Sequence, residues 1–466
     1  MLKIITNLPT LFSNLSLRLL RSPARVSIMG FAGLIVCGTF LLMLPVSTVD
    51  KPLSVVDALF MSTSASCVTG LSVLDIGSQL SLFGQLVILV LIQVGGLGIL
   101  TISTLLLMMM KGRPTLSGQA LIKDTFTYGE GKQTAASVLR AIFFTAMGIE
   151  AIGALCLYLR IAPQAGWSSS AYPAVFHAIS AFCNAGFSLN ADSFMGFRED
   201  WIVNGTLAGL IIIGGIGFVV IADVKDCLVG RKKTHRRLSL HSRLALSATA
   251  VLILVGTVAI LCMEWGNTLA PLSMPGRLLA ALFQSITART AGFNTLNIGL
   301  MANETLFFLC ILMFIGACPG SCGGGVKTTT VAGLVVMGIS RLRGFRRPQV
   351  FLRTLTEASM SRATSVVMIS ALVITLAIMV LMMSELGDLP HTHTRGRFLE
   401  LFFEVISAFG TVGLSAGATG SLSKLGRITI ILLMFIGRLG PMVIGLAVSQ
   451  ERISRVQYAE ENIMIG

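Results

Sequence analysis

The chain is 466 residues long; 54% of its residues are hydrophobic, 12% are charged, and the mean hydropathy is +0.84. A soluble chain would carry about twice that share of charge, so the composition excludes an ordinary soluble domain and predicts a polytopic membrane protein. The formal net charge of +14 would also suit nucleic-acid binding. Because the basic residues gather beside predicted spans, we assign them to membrane topology and expect no nucleic-acid partner.

The predicted elements begin with residues 1–25, which carry four basic residues and no acidic one. No cleavage site follows the first apolar run, so we expect this segment to remain in the chain, on the cytoplasmic side. The nine cysteines lie mostly in apolar or small-residue surroundings. That context predicts buried thiols rather than a disulfide framework.

Eight apolar spans alternate with four short helices along the rest of the chain. The short helices cannot cross a bilayer and suit re-entrant segments. The spans are predicted at residues 26–45, 81–110, 139–161, 202–222, 244–263, 305–338, 364–383 and 427–449. The short helices are predicted at residues 52–62, 172–182, 276–287 and 396–409.

The predicted fold is all-α, with four repeated units of membrane helix, pore helix, filter loop and membrane helix around a pseudo-fourfold pore. The units are bounded at residues 26–113, 114–230, 231–345 and 346–452, and a tail follows at 453–466. Of the 35 Lys and Arg residues, 24 fall on one side of this arrangement, and the positive-inside rule makes that side cytoplasmic. Both termini are then cytoplasmic, and the four loops enter from outside.

The four loops share a pattern of small residues that leads to a glycine. Ser64–Leu71 is echoed by residues 180–187, 286–293 and 407–414, and the four glycines are 116, 106 and 121 residues apart. One such loop alone is better explained as a tight turn between helices. Four at matched positions predict a cation filter, because glycine lets backbone carbonyls face one axis and each short helix points its negative end at the ion. The predicted filter residues are Val68, Thr69, Gly70, Asn184, Ala185, Gly186, Thr290, Ala291, Gly292, Thr411, Val412 and Gly413.

A second repeat of small residues follows each loop, at residues 95–98, 214–217, 316–320 and 437–440. In the third unit, the run breaks span six, since Pro and several glycines cannot sustain a helix. The interruption is either a packed kink or a mobile loop that blocks the path below the filter, and we expect it only in this unit. A disulfide or metal site at its two cysteines is a further, weaker alternative. The candidate gate residues are Gly316, Ala317, Cys318, Pro319, Gly320, Ser321, Cys322, Gly323, Gly324 and Gly325.

Two basic residues lie within spans, where a charge is costly and usually functional. Arg438 is predicted either to pair with Glu404 in the preceding short helix or to act as a fixed positive charge beside the pore. Lys327 follows the broken segment directly and is predicted to cap carbonyl groups or to pair with an acid.

Other polar residues carry weaker signals. Asp223 and Asp226 are interpreted as an interfacial cap or salt bridge, and His177 as a packed histidine. Glu150 has no assigned role. Two histidines at 391 and 393 make a poor metal site, and the basic run 231–237 is interpreted as a topology signal, with an acidic-lipid or partner surface second.

The four loops resemble the filters of the Trk/Ktr/HKT superfamily of potassium transporters, and the tail is most similar to that of the bacterial Ktr branch. The matching segments are residues 68–71, 184–187, 289–293 and 411–414, and the tail is 461–466. The resemblance implies a homodimer and a cytosolic nucleotide-binding regulatory ring of the RCK type. It also implies an intramembrane gate in the third unit, a gating role for Lys327, and an arginine beside the pore at Arg438. Gly70 in the first filter favours potassium over sodium.

We therefore predict potassium uptake across the bacterial cytoplasmic (inner) membrane by a multi-pass protein in contact with membrane lipid. Potassium at the filter is the only metal expected, with sodium as a second candidate ion, and no organic cofactor is expected. The alternative is a sodium- or proton-coupled secondary transporter of another cation or solute, which would place acids together at broken helices. No nucleotide-binding or hydrolytic motif is present in the sequence, which argues against an enzyme.

Overall fold

The computed structural model describes residues 23–98, 135–229, 238–387 and 389–440. These residues form fifteen α-helices, several short 3-10 turns and one small hairpin of two strands. The first eight helices are α1 Pro23–Met43, α2 Val55–Ser66, α3 Ile76–Gln79, α4 Leu82–Gly96, α5 Ala135–Ala165, α6 Trp167–Phe182, α7 Trp201–Ile216 and α8 Phe218–Val229.

The second half of the chain continues the same alternation of longer and shorter helices. Its elements are α9 Leu240–Met263, α10 Met274–Thr287, α11 Asn303–Phe314, α12 Thr328–Leu342, β1 Gln349–Val350, β2 Arg353–Thr354, α13 Glu357–Glu385, α14 Arg397–Gly410 and α15 Lys424–Leu439. The strands are antiparallel, with Val350 opposite Arg353. The tail, the basic run 231–237 and the ends of the predicted spans 81–110 and 427–449 lie outside the described residues.

Three described helices are long and apolar enough to cross a membrane: Arg140–Gln164, Leu240–Met263 and Glu357–Glu385. Four more segments are shorter apolar helices, namely Ser27–Met43, Leu82–Gly96, Asn303–Phe314 and Thr328–Leu342. Large apolar side chains such as Phe40, Phe144 and Leu254 project outward from these helices. Such a surface suits lipid rather than water, although eight full spans remain a prediction.

The fourth predicted span is not one straight helix. A single helix was expected over residues 202–222, but α7 ends at Ile216 and α8 leaves at 99° to it. Gly217 makes the bend with φ 95°, in a region that side chains disfavour. The expectation that only the third unit contains a broken helix is therefore wrong.

Serine side chains begin several of the helices that matter for the pathway. Ser54, Ser81, Ser273 and Ser423 each accept a hydrogen bond from the backbone N–H three residues later. Such caps satisfy donors that the first turn of a helix leaves open, and each contributes about 1 kcal/mol. They fix where α2, α4, α10 and α15 start, and hence where the loops after α2 and α10 fall.

The helices pack in a closed circuit. In each unit the helix that follows the loop contacts the short helix of the next unit: α4 contacts α6, α7 contacts α10, and α11 contacts α14. The circuit closes where α15 contacts α2, which joins the end of the chain to its beginning. The four short helices therefore surround a single central axis.

The cysteines are free thiols, but they are not all buried as expected. Cys67, Cys183, Cys310, Cys318 and Cys322 are buried. Cys37, Cys156 and Cys262 are exposed on apolar outer helices, because a small, weakly polar thiol suits a lipid-facing position as well as a core.

The C-terminal part of α8 is joined to the start of α9. The Asp223 carboxylate accepts a hydrogen bond of 2.9 Å from the backbone N–H of Ser239, which itself caps α9. This contact agrees with the cap predicted for Asp223.

Candidate ion pathway

The four loops after α2, α6, α10 and α14 share one unusual backbone conformation. Two residues before each glycine, φ is positive at a non-glycine residue: 55° at Val68, 58° at Asn184, 70° at Thr290 and 50° at Thr411. The four glycines have φ between 69° and 92°. A chain that alternates between left- and right-handed conformations turns successive carbonyl groups to one side, which is what coordination of an ion by backbone requires.

The same four glycines meet in a ring. A Cβ atom placed on Gly70 would lie 2.4 Å from the Ala185 carbonyl oxygen, and one on Gly186 would lie 2.7 Å from that of Ala291. Each glycine thus abuts the loop of the next unit.

The ring closes in the second half of the chain. A Cβ atom on Gly292 would lie 2.4 Å from the Val412 carbonyl oxygen, and one on Gly413 would lie 2.2 Å from that of Thr69. The order of contacts is first, second, third, fourth and first unit again. The four loops therefore surround one axis, with no room for a side chain at any of the four glycines.

A hydroxyl group at the end of each short helix supports the adjacent loop, in two different ways. In the first and fourth units, Ser64 Oγ and Ser407 Oγ accept hydrogen bonds of 3.1 Å from the N–H groups of Gly70 and Gly413. In the other two, Ser180 donates to the Phe187 carbonyl (2.8 Å) and Thr287 to the Phe293 carbonyl (2.7 Å). These roles were not predicted from the sequence, although a hydroxyl residue stands five or six positions before each of the four ring glycines.

One turn earlier in each short helix, a second buried residue faces the loop beyond the glycine. The Met61 sulfur accepts a 3.4 Å hydrogen bond from Ser72, and His177 Nε2 accepts one of 3.1 Å from the Leu189 N–H. His177 is thus a packed, hydrogen-bonded histidine, as expected. The equivalent residues of the third and fourth units are Gln284, whose amide has no hydrogen-bond partner among the described residues, and Glu404.

The predicted interruption of span six is confirmed. Helix α11 ends at Phe314 and α12 begins at Thr328, and the chain between them forms a loop. The two ends of this loop are tied by hydrogen bonds from Gly316 N–H to the Val326 carbonyl (2.8 Å) and from Thr328 N–H to the Ala317 carbonyl (3.1 Å). We call residues 315–327 the crossing loop.

The crossing loop is held by backbone groups of two other units. The N–H groups of Cys318 and Cys322 donate to the carbonyls of Gly215 (3.0 Å) and Gly214 (3.2 Å), just before the bend of α7. On the other side, the Gly325 N–H donates to the Gly437 carbonyl of α15 (3.2 Å). The loop therefore crosses the interior between the second and fourth units.

The crossing loop also lies directly against the glycine ring. The Gly324 N–H donates to Thr411 Oγ1 at 3.0 Å, and a Cβ atom on Gly323 would lie 2.1 Å from Thr290 Oγ1. Both contacts are to residues that precede the filter glycines. An ion that passed the ring on the axis would meet this loop next.

Arg438 and Lys327 bind backbone carbonyls around the crossing loop. Arg438 donates to the Cys322 and Gly95 carbonyls, and Lys327 Nζ donates to the Gly323 carbonyl at 2.7 Å. Lys327 thus caps a carbonyl, one of the two roles expected for it. The alternative pairing of Arg438 with Glu404 is wrong, because the Glu404 oxygens accept hydrogen bonds from Ser415 and Thr419 instead.

Arg289, at the end of α10, is a third buried cation beside this loop. Its guanidinium donates to Thr249 Oγ1 (3.3 Å) and Thr328 Oγ1 (3.2 Å). Within the described ranges, none of these three cations forms an ion pair. No role for Arg289 could be predicted from the sequence, because its partners come from two distant helices.

Glu150 of α5 lies behind the second loop. It is buried and accepts hydrogen bonds of 3.2 and 3.1 Å from the Gln93 amide, with the Cys183 thiol 3.9 Å away. These contacts join α5 to α4 and to the end of α6. Glu150, which had no predicted role, thus connects three helices behind the second loop.

The chain places apolar helices on the outside and a ring of irregular backbone at the centre. Irregular backbone is tolerated at membrane depth only where protein buries it or where it lines a water-filled path, so this organisation is that of a membrane transport protein. Comparison with known proteins specifies the class. A family model described as "TrkH: Cation transport protein" matches residues 20–455. The chain belongs to this family, which consists of transport proteins and not enzymes, and the resemblance found in the four loops is confirmed.

Three relatives match nearly the whole chain. It is 38% identical to Ktr system potassium uptake protein B of Bacillus subtilis, over 96% of this chain and 97% of that protein. It is 39% identical to the protein of the same name from Vibrio alginolyticus, over 95% and 94% of the two chains. It is also 36% identical to the potassium/sodium uptake protein NtpJ of Enterococcus hirae, over 96% and 97%.

A solved structure shares the fold. The potassium transporter TrkH from Vibrio parahaemolyticus superposes with a TM-score of 0.72, over 91% of this chain and 83% of that one, at 19% sequence identity. At that identity the likeness supports the helical architecture alone.

Proposed function

We propose that the protein takes up potassium across the cytoplasmic membrane as the ion-translocating subunit of a Ktr/Trk-type system. The observation that carries the proposal is the closed ring of Gly70, Gly186, Gly292 and Gly413 with its alternating backbone conformation. The names of the relatives, two of which are Ktr potassium uptake proteins, support potassium as the ion. The name of the enterococcal relative supports sodium as a second ion.

Selection takes place at the four loops in this proposal. Backbone carbonyls replace the water that the ion loses, and the negative ends of the four short helices favour a cation. The coordinating backbone is supplied by Val68, Thr69, Gly70, Asn184, Ala185, Gly186, Thr290, Ala291, Gly292, Thr411, Val412 and Gly413.

The crossing loop acts as the gate. In the arrangement described, this loop lies against the filter residues Thr290 and Thr411. An ion therefore passes only when the crossing loop moves aside. Lys327 and Arg438 hold its carbonyls and place positive charge along the exit from the filter, which disfavours a cation there until the loop is displaced.

The system proposed here includes more than this chain. We infer a homodimer whose termini face the cytoplasm, and a cytosolic nucleotide-binding ring that controls the gate. The word "system" in the names of the two Ktr relatives supports a separate partner subunit. The apolar outer surface supports direct contact with membrane lipid.

The competing function is a secondary transporter coupled to sodium or protons. The bend at Gly217 adds a second interrupted helix, so the number of broken helices no longer argues against it. Coupling would need acids grouped at the breaks. The charged side chains that bind residues in or next to the crossing loop are instead the cations Arg289, Lys327 and Arg438, which favours the filter mechanism.

The test is rubidium and sodium uptake by cells that lack their own potassium uptake systems. Gly70→Ser is expected to lower the preference for potassium over sodium by about tenfold, because its Cβ would meet the Ala185 carbonyl and displace filter oxygens. Gly205→Ser, at a glycine with nothing within 4 Å, is the control. If both variants reach the membrane and select like the wild type, the filter assignment is lost.

A further inference from the structure

Glu404 is the one acid among four equivalent positions. The short helices carry Met61, His177, Gln284 and Glu404 three residues before their supporting hydroxyl. All four side chains are fully or almost fully buried. A residue that served only to pack the loop would not need a charge there, since a thioether and an imidazole do so in the first two units.

The hydrogen bonds of Glu404 suit the ionised carboxylate. The Ser415 hydroxyl donates to one carboxylate oxygen and the Thr419 hydroxyl donates to the other at 2.8 Å. Hydroxyl donors on both oxygens stabilise the charged form. Throughout the described ranges no Lys, Arg or His forms an ion pair with it, so no cationic side chain there compensates a charge on this carboxylate.

A cavity lies beside this carboxylate, on the far side of the glycine ring from the crossing loop. It has a volume of about 220 Å³ and is lined by residues that follow the filter glycines, among them Gly413, Ser415 and Asn294. The crossing loop, in contrast, contacts residues that precede those glycines. Ser415 both lines the cavity and donates to Glu404, so the carboxylate is one hydrogen bond away from the lining.

Asn294 provides a second polar group in the lining of the cavity. Its amide nitrogen donates to the Leu296 carbonyl at 3.1 Å, which orients the side chain. Its amide oxygen receives no hydrogen bond from the described residues. The cavity therefore has an oxygen acceptor in its lining, from Asn294, and a buried carboxylate bound to another lining residue, Ser415.

We propose that this cavity is an entry site for a monovalent cation, created by the charge of Glu404 and placed directly before the filter. The inference rests on the proposed function and adds the step that precedes the filter. A buried charge behind one hydroxyl attracts a cation strongly because little water screens it. The acid belongs to the fourth unit alone and the cavity is lined by the third and fourth units, so ions enter the pseudosymmetric ring from that side.

The proposal assigns Glu404 to ion capture and not to the ring itself. Glu404→Gln keeps the shape and removes the charge, and we expect the concentration of rubidium at half-maximal uptake to rise roughly fivefold or more. The maximal rate and the preference for potassium over sodium should change less than twofold. Glu404→Asp, which keeps the charge, should restore most of the affinity.

Glu264 supplies the matched control. It is also fully buried and accepts hydrogen bonds from Thr268 and from the Ala302 N–H, but none of these partners lines the cavity. Glu264→Gln removes the same buried charge and should leave the half-maximal concentration unchanged. An equal effect in both variants would show a general consequence of losing a buried acid and would overturn the proposal.

Binding is measured separately from transport. Titration of the purified full-length protein with thallium(I) should detect a weaker cation site in the Glu404→Gln variant than in the wild type. If the wild type transports rubidium and Glu404→Gln matches it in both assays, the entry site is refuted and the filter stands. If the wild type itself moves neither rubidium nor potassium, the proposed function fails instead.

Discussion

The glycine ring and the crossing loop lie against each other, but the ring is a fourfold repeat and the loop occurs in one unit. The ring repeats one backbone conformation four times, with the same signs of φ at matching residues. The crossing loop occurs once and is held by the second and fourth units through unlike contacts. Coordination of an ion by carbonyls needs oxygens on every side, whereas a single loop is enough to block a path.

The same contrast holds for charge. The ring is formed by neutral backbone, while Arg289, Lys327 and Arg438 all bind residues in or next to the crossing loop. Glu404 stands on the other side of the ring. In the proposed mechanism, selection and gating are therefore only a few residues apart along the axis.

The largest effect is expected from breaking the ring at Gly413. Gly413→Ala would place a Cβ 2.2 Å from the Thr69 carbonyl at a residue with φ 92°. We expect rubidium uptake to fall about a hundredfold, since the backbone must shift on both sides of the contact. Gly209→Ala, at a glycine with nothing within 4 Å, should transport normally. Wild-type uptake by Gly413→Ala at equal membrane abundance would contradict the ring.

Loosening the crossing loop should raise the rate of uptake instead of lowering it. Arg438→Ala removes donors from the Cys322 and Gly95 carbonyls and a positive charge from the exit, and we expect uptake to be faster by roughly tenfold. Arg427→Ala breaks a partly exposed pair with Asp57 and serves as the control. Initial rates, divided by the amount of protein in the membrane, distinguish gating from expression. A slower Arg438→Ala variant would show that the arginine holds the path open.

The smallest effect is expected from the hydroxyl groups beneath the ring. Ser407→Ala removes the acceptor of the Gly413 N–H, a hydrogen bond worth about 1 kcal/mol, and should reduce ion preference by no more than about fivefold. Ser180→Ala frees the Phe187 carbonyl instead. We expect competition between rubidium and sodium to separate the two variants, and identical profiles would mean that the two modes of support are equivalent.

Local sequence predicted the features that depend on local backbone. Irregular backbone was predicted correctly at Gly70 and its three counterparts and at the run of residues 316–325. The bend at Gly217 escaped because its glycines stand in a strongly apolar segment that a straight span also explains. There the bend depends on the crossing loop, since the Phe218 N–H donates to the Gly320 carbonyl, about a hundred residues away.

Long-range partners could not be predicted. One of the two predictions for Arg438 paired it with an acid, because opposite charges are the obvious match, but its partners are carbonyls from the first and third units. Backbone acceptors have no sequence signature. The hydrogen bond from Ser415 to Glu404 could not be predicted either, because the loop after α14 brings together two side chains that are eleven residues apart.

The backbone contacts of the crossing loop tie its movement to water. In the closed arrangement, the carbonyls of Gly214, Gly215 and Gly437 and the N–H of Phe218 are all satisfied by this loop. When the loop swings away, these groups are left at membrane depth, where an unpaired polar group is costly. In the proposed gating movement, water must follow the loop inward to hydrate these groups. The path then contains water only when it is open, so osmotic stress should oppose opening.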